Sequence, residues 1–523
     1  MPEGGEGSTT DPNEESDESE AGWFFQWSPD DSPGYVEQVG GDDGDAGWSE
    51  LRNFYCPLAR SAPFERIVKV AEELCVRSVV VERRYIDLDY RSEHSHFYST
   101  TFKRFPSICH RLHFFAEEVE SGLKNLDEVA HSYRGYSVMR PLPGAPVGRT
   151  MIAPPPSLAG ATLCLAVDTT HLWGRKLSVR AMPFVSQDKE YLRCAHSSLW
   201  MMLYHAYLRH GMPRRLPNEI YQAALGGAVT GRRLPSEGLS PGQVVTALHQ
   251  MNMSSGHIRL PTQRQVSQTR HATSLFGIIG RYVNSQMPPM VYSENHAWVV
   301  VGYKTHDPEG GHNTTTLFVH NDMEGPYLRV STPFVDELDP KDQQDPGSKA
   351  WKAAVPPMSR KLYMTGERAE IVGRHRLMEF AKESREGQNS LSRMPADKIS
   401  WRSYAVQSYE FKVAVRARLP TDIAILFELS HLPRWIWVVE AHDKRLVKDN
   451  RPSLLGEVVI DATASQLARA DDPVVLLRHI TGEAFNYTPD HGEIHRVIVD
   501  EIDPYQSGQI VDDGQVHEGR REE

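Results

Sequence analysis

The stretch Tyr191–Leu203, YLRCAHSSLWMML, sets a cysteine where a helical apolar pattern begins. Positions 195, 199, 202, 203 and 206 follow helical spacing, and Gly211 can end the helix, so Cys194 falls at or just before the first turn. The unpaired N–H groups and the positive end of the helix dipole at that point favour a thiolate over a thiol. A base for such a nucleophile lies downstream in PPMVYSENHAWVVVGYK, where His296 stands at the mouth of an apolar strand. A turn-rich insert follows, then LFVHNDMEGPY, in which Leu317–Val319 read as the partner strand of a hairpin. The antiparallel return of that strand brings Asn321 and Asp322 beside the start of the histidine strand, so an amide or a carboxylate is available to orient the imidazole.

The order of cysteine at a helix start, histidine at a strand start and Asn/Asp at the next strand end resembles the papain-like cysteine peptidase superfamily, most closely its bacteriocin-processing type of peptidase domain. GLSPGQVVTALHQMN resembles that domain's middle helix, with Ser240 as cap and Pro241 at the first helical position. HAWVVVGY resembles its histidine strand, and Gln187 its oxyanion-hole glutamine. The resemblance covers about residues 183–335. Two positions depart from it: Ala195 stands where the family has glycine, and Gln187 lies seven residues ahead of the cysteine instead of six. The resemblance implies an α+β peptidase fold, with a helix-borne cysteine packed on an antiparallel sheet. It implies Cys194 as nucleophile, His296 as base, Asn321 or Asp322 as orienting group and Gln187 as oxyanion donor. No cofactor or metal is called for, and the expected substrate is a peptide or protein. Two alternatives use the same residues: an inactive papain-like interaction module, and a transglutaminase-like acyltransferase.

The other elements divide the chain. Residues 1–50 carry 15 Asp/Glu and no Lys or Arg; taking those charges from the net −12 leaves about +3 on the rest. Residues 1–47 are expected to be a disordered acidic tail, interrupted by WFFQW, whose Trp23, Phe24, Phe25 and Trp27 can anchor a protein partner. Residues 48–160 read as an N-terminal α/β domain and 161–335 as the peptidase domain. Residues 336–358 read as a polar linker, 359–510 as a C-terminal α/β domain and 511–523 as a disordered tail. Within these, 162–182 read as a hairpin, 366–386 as a helix, and RWIWVVEA and GEVVIDAT as paired strands. No basic stripe suggests nucleic acid, and no apolar run approaches the ~20 residues of a membrane helix. Five scattered cysteines without a CxxC pair predict a reduced, cytoplasmic protein. The histidines of SEHSHFYS and ICHRLHFF match no zinc spacing and read as packed polar residues. His196, His205 and His210 form no i, i+4 pair and are expected to be solvated or capping.

Overall fold

The structure is a computed structural model. It describes residues 34–40, 44–57, 60–188, 190–225, 238–260, 275–293, 296–306, 314–330, 351–383, 390–418, 421–448, 451–464, 475–480, 483–487, 494–498 and 505–506. The chain forms two compact units. The first comprises Met1–Ala159, Leu165–Ser240 and His320–Leu328; the second comprises Gly160–Cys164, Pro241–Val319 and Arg329–Glu523. Both are mixed α/β with antiparallel sheets.

The first unit opens with strand β1 (Gly34–Gln38) and helices α1 (Gly44–Tyr55) and α2 (Ala62–Glu73). Strand β2 (Ser78–Tyr85), helix α3 (Leu88–His96) and strands β3 (Cys109–Phe115), β4 (Tyr133–Met139) and β5 (Val147–Ile152) follow. The five strands form one sheet in chain order. Val79, Val80 and Val81 are buried on both faces of β2, which explains their unbroken apolar run. Helix α3 starts where the Asp87 carboxylate accepts the Tyr90 N–H at 3.0 Å. Order begins earlier than the acidic composition suggested: Gly34–Gln38 pairs with Ser78–Glu82, and α1 starts at Gly44. Pairing to β2 supplies what those polar residues lack in apolar burial. The aromatic residues at 23–27 and the segment 511–523 lie outside the described residues.

Strand β6 (Thr162–Leu163) belongs to the second unit. Strands β7 (Ala166–Leu172) and β8 (Arg175–Ala181) make the expected hairpin in the first, closed by Trp173 and Gly174, both at positive φ. Helices α4 (Cys194–His210) and α5 (Pro217–Ala224) complete that unit's helical part.

The second unit contains α6 (Pro241–Gln250), β9 (Ile258–Arg259), α7 (Leu275–Asn284), β10 (Met290–Tyr292) and β11 (Ala297–His306). Pro241 is the first residue of α6, as its missing N–H allows. Strands β12 (Thr314–Asn321), β13 (Gly325–Val330) and β14 (Ala353–Val355) follow, in a sheet ordered β13-β12-β11-β10-β14-β9 with β6 added on β11. The chain enters the first unit inside β12, after Val319, and leaves it inside β13, after Leu328.

The expected linker 336–358 is corrected at its end. Ala353–Val355 is a buried strand paired with both β10 and β9. Three small apolar residues carry no readable period, so proline and polar neighbours masked the strand. Residues 336–350 lie outside the described set.

Helix α8 (Gly366–Glu383), β15 (Ile399–Gln407), α9 (Ser408–Arg418) and α10 (Thr421–Leu429) lead into a meander. Its further strands are β16 (Trp435–Lys448), β17 (Arg451–Asp461), β18 (Val475–Ile480), β19 (Glu483–Tyr487) and β20 (Ile494–Ile498), with β21 (Tyr505–Gln506) on β17. Alternation along β16 sorts two cores. Trp435, Trp437, Val439 and Ala441 pack in the cluster that holds Leu377 and Phe380 of α8. Ile436 and Val438 pack in the cluster that holds Phe411 and Phe427 of α9 and α10. The histidine strand and this region belong to one compact unit, while Cys194 belongs to the other. The expected boundaries at 160, 335 and 359 therefore differ from the observed division. Interleaved strands, each returning to an earlier partner, hide it from a linear reading.

Candidate functional site

Cys194 is the first residue of α4, preceded by Arg193 in an extended conformation that gives no side-chain cap. The first turn carries no acidic residue. The helix start thus presents N–H groups and a positive dipole end next to the sulfur. Thirteen of the 17 residues of α4 are buried, and Gly211 in the left-handed conformation ends it. This packing holds the first turn in place while Cys194 itself is partly accessible. The other cysteines differ. Burial pushes the Cys56 thiol up to about 11 and that of Cys109 well above its ordinary value. Cys164 is buried, and its Sγ donates to the Val283 carbonyl at 3.7 Å. Cys75 is exposed, at the end of α2.

The segment ahead of Cys194 is organised by Asp188, which the sequence reading did not single out. Its Oδ1 accepts N–H groups of Glu190, Tyr191 and Leu192 at 2.8–2.9 Å, and its own N–H donates to the Leu192 carbonyl. An aspartate turning its side chain onto following N–H groups is a local signal, and QDKEYL carries it. The Gln187 N–H donates to the Asp322 carbonyl at 3.3 Å, so two of the expected site residues meet through backbone.

Asn321 and Asp322 have different environments. The Asn321 Oδ1 accepts the Met323 N–H at 3.0 Å, and its carbonyl accepts the Glu324 N–H. This turn fixes the end of β12. Burial pushes the Asp322 carboxyl up to about 8. A carboxyl held neutral by burial is a poor counter-ion for an imidazolium, so Asp322 has no electrostatic advantage over Asn321.

His296 belongs to the second unit and Cys194, Gln187, Asn321 and Asp322 to the first. His296 immediately precedes β11, and its carbonyl accepts the Ser293 N–H at 3.0 Å. Its ring meets Trp298 edge-on with centroids 4.7 Å apart, and Trp298 is buried. Residues two apart on a strand share a face, so the buried indole fixes the imidazole.

The remaining histidines of α4 correct an expectation: His196, His205 and His210 are buried, not solvated. His196 stacks on Tyr221, and burial pulls it down to about 4. Burial also pulls His205 well below the ordinary value. Residues 195–206 of α4 are buried without a break, so the absence of an i, i+4 pair was no guide to exposure. In the N-terminal sheet His110 pairs with the Tyr55 hydroxyl at 2.9 Å. His113 pairs with the Tyr133 hydroxyl and with Glu82. Among the described residues no group of three or more His, Cys, Asp or Glu is close enough to hold a metal ion. Nor is any helix among them long and apolar enough to cross a membrane.

No protein-family model matches this chain, and no curated protein matches it. A thiol on a partly accessible residue at a helix start can act as a nucleophile once deprotonated, and the positive end of the helix dipole favours the anions that form there.

Proposed function

We propose that this chain is a papain-like cysteine peptidase or related amide hydrolase. One observation carries the reading: Cys194 is the first residue of a long, largely buried helix whose first turn holds no acidic side chain, and it is itself partly accessible. The base role falls to His296 by the sequence pattern alone: it would take the thiol proton, and the thiolate would attack the carbonyl carbon of a peptide or protein substrate. The Cys194 N–H and the Gln187 side-chain amide hold the resulting oxyanion, each donor contributing about 3 kcal/mol. Collapse of the tetrahedral species expels the amine, which takes its proton from the His296 imidazolium and leaves a thioester. Water, deprotonated by His296, then releases the acid and restores the thiol. Asn321 orients the imidazole, a role that needs an amide and no charge.

The test is labelling of the full chain with iodoacetamide at neutral pH, read by peptide mass spectrometry. Cys194 is expected to react faster than the exposed Cys75, and His296→Ala to remove the difference. Equal rates at both cysteines, unmoved by that substitution, overturn the reading. Acyl transfer uses the same thioester, and an added primary amine that ends up in the product identifies it. Retention of every cellular activity by Cys194→Ser identifies an inactive interaction module.

A further inference from the structure

We infer that Asp188, anchored by Tyr98, is the positioning residue for the segment that carries Gln187 and leads into Cys194. The inference rests on the peptidase reading and adds to it a part for the N-terminal region. Asp188 divides its carboxylate between two tasks. Oδ1 gathers three successive N–H groups of the segment, those of Glu190, Tyr191 and Leu192. Oδ2 accepts the hydroxyl of Tyr98 at 2.6 Å, from a residue 90 positions earlier. Tyr98 is 4% exposed, and burial with the adjacent Asp188 pushes its phenol up, so it stays a donor.

Two further contacts support the same segment. Buried Arg140 donates through Nη2 to the Ser186 carbonyl at 3.0 Å and to its hydroxyl at 3.1 Å, while Nη1 pairs with Glu93 at 3.2 Å. Tyr191 is stacked between Phe97 and Tyr221, with centroids 5.8 and 5.1 Å away, and Tyr221 stacks in turn on His196 of α4. The segment is therefore held from the end of α3, from α5 and from β4–β5 while it delivers the chain to the first turn of α4.

The experiment compares Asp188→Ala, Asp188→Asn and Tyr98→Phe in the full chain, with iodoacetamide as probe, Cys75 as internal reference and melting temperature as the check on folding. Asp188→Ala is expected to slow Cys194 by about tenfold or more and to move the pH midpoint of its labelling, because loosening the segment misplaces the groups around the sulfur. Asp188→Asn keeps an oxygen for the same three N–H groups and is expected to recover to within about threefold. Tyr98→Phe removes only the anchor and falls between them. Where Asp188→Ala does not fold, Tyr98→Phe decides.

A folded Asp188→Ala at the wild-type rate and midpoint overturns the inference alone, as does a Tyr98→Phe with no effect or an Asp188→Asn no better than alanine. A wild-type Cys194 no faster than Cys75, and indifferent to His296→Ala, overturns the peptidase reading and this inference with it.

Discussion

Two buried charges, Arg140 of the first unit and Glu440 of the second, are held in different ways. Around Arg140 and Arg149 most partners come from distant parts of the chain. Arg140 joins Glu93, Ala145 and Ser186, and Arg149 joins Tyr85 and Asp87. Asp89 accepts from Trp200 and Arg214. The second unit has one such long-range pair in Arg281 and Glu370, but its buried Glu440 is held by its own strand and the neighbouring one: His442 at 3.0 Å, Tyr404 at 3.0 Å and Arg402 at 3.4 Å. Its register partner on β17 is Glu457, also fully buried. Charges of the first kind fix loops that have no ladder to hold them. Charges of the second kind reinforce a ladder that already exists. A buried ion that is a loop's main tether costs more to remove than one that duplicates sheet pairing.

The largest expected effect breaks the comparison directly. Arg140→Met leaves the Glu93 carboxyl and the Ser186 carbonyl buried without their partner, an expected loss of about 3–5 kcal/mol by urea unfolding. Arg402→Met leaves Glu440 with Tyr404 and His442, and the expected loss is about 1–2 kcal/mol. Equal costs for the two would remove the distinction.

The next effect sharpens it through pH. The Asp322 carboxyl is pushed up to about 8, above the ordinary value near 4, so the native state holds a proton that the unfolded chain gives up. Its stabilisation is full below about pH 4 and is lost as pH rises through about 8. Asp322→Asn is therefore expected to match wild type near pH 4 and to exceed it increasingly toward pH 8, read as urea midpoints. The buried histidines of the first unit slope the other way. His113 and His196 are pulled down to about 4, and His110 and His320 to about 3. Their contribution is complete above about pH 6.5 and is lost as pH falls toward those values.

Smaller still, Asn321→Ala removes the acceptor of the Met323 N–H and is expected to cost about 1 kcal/mol, whereas Asn321→Asp keeps the oxygen and most of the stability. At the bottom of the scale, Leu429→Lys on the exposed face of α10 is expected to leave the melting temperature within a degree or two, because that side chain is 76% exposed.

Local pattern was readable where physics is local. The helix beginning at Cys194 and ending at Gly211, the helix starting on Pro241, the β7–β8 hairpin and the β16–β17 pair all announce themselves through period, proline and glycine. Three kinds of feature did not. Short strands such as Ala353–Val355 are below the length at which a period can be seen. Burial of His196, His205 and His210 depends on what surrounds a helix and not on its own sequence. The role of Asp188 was half legible, since the turn it makes is local and its anchor is not.

The amino-acid order by itself determined which residues have chemistry to offer: a cysteine at a helix start, a histidine before a strand, an amide and a carboxyl at a turn. Spacing and side-chain type settle those placements within a few residues of chain. Only the tertiary structure decided the state and support of those groups. It withdraws Asp322 from water, which shifts its proton equilibrium. It brings Tyr98 to Asp188 across 90 residues, and it divides the chain into units that no linear boundary marks. Desolvation and long-range contact are properties of what packs around a residue, and a sequence does not display its neighbours in space.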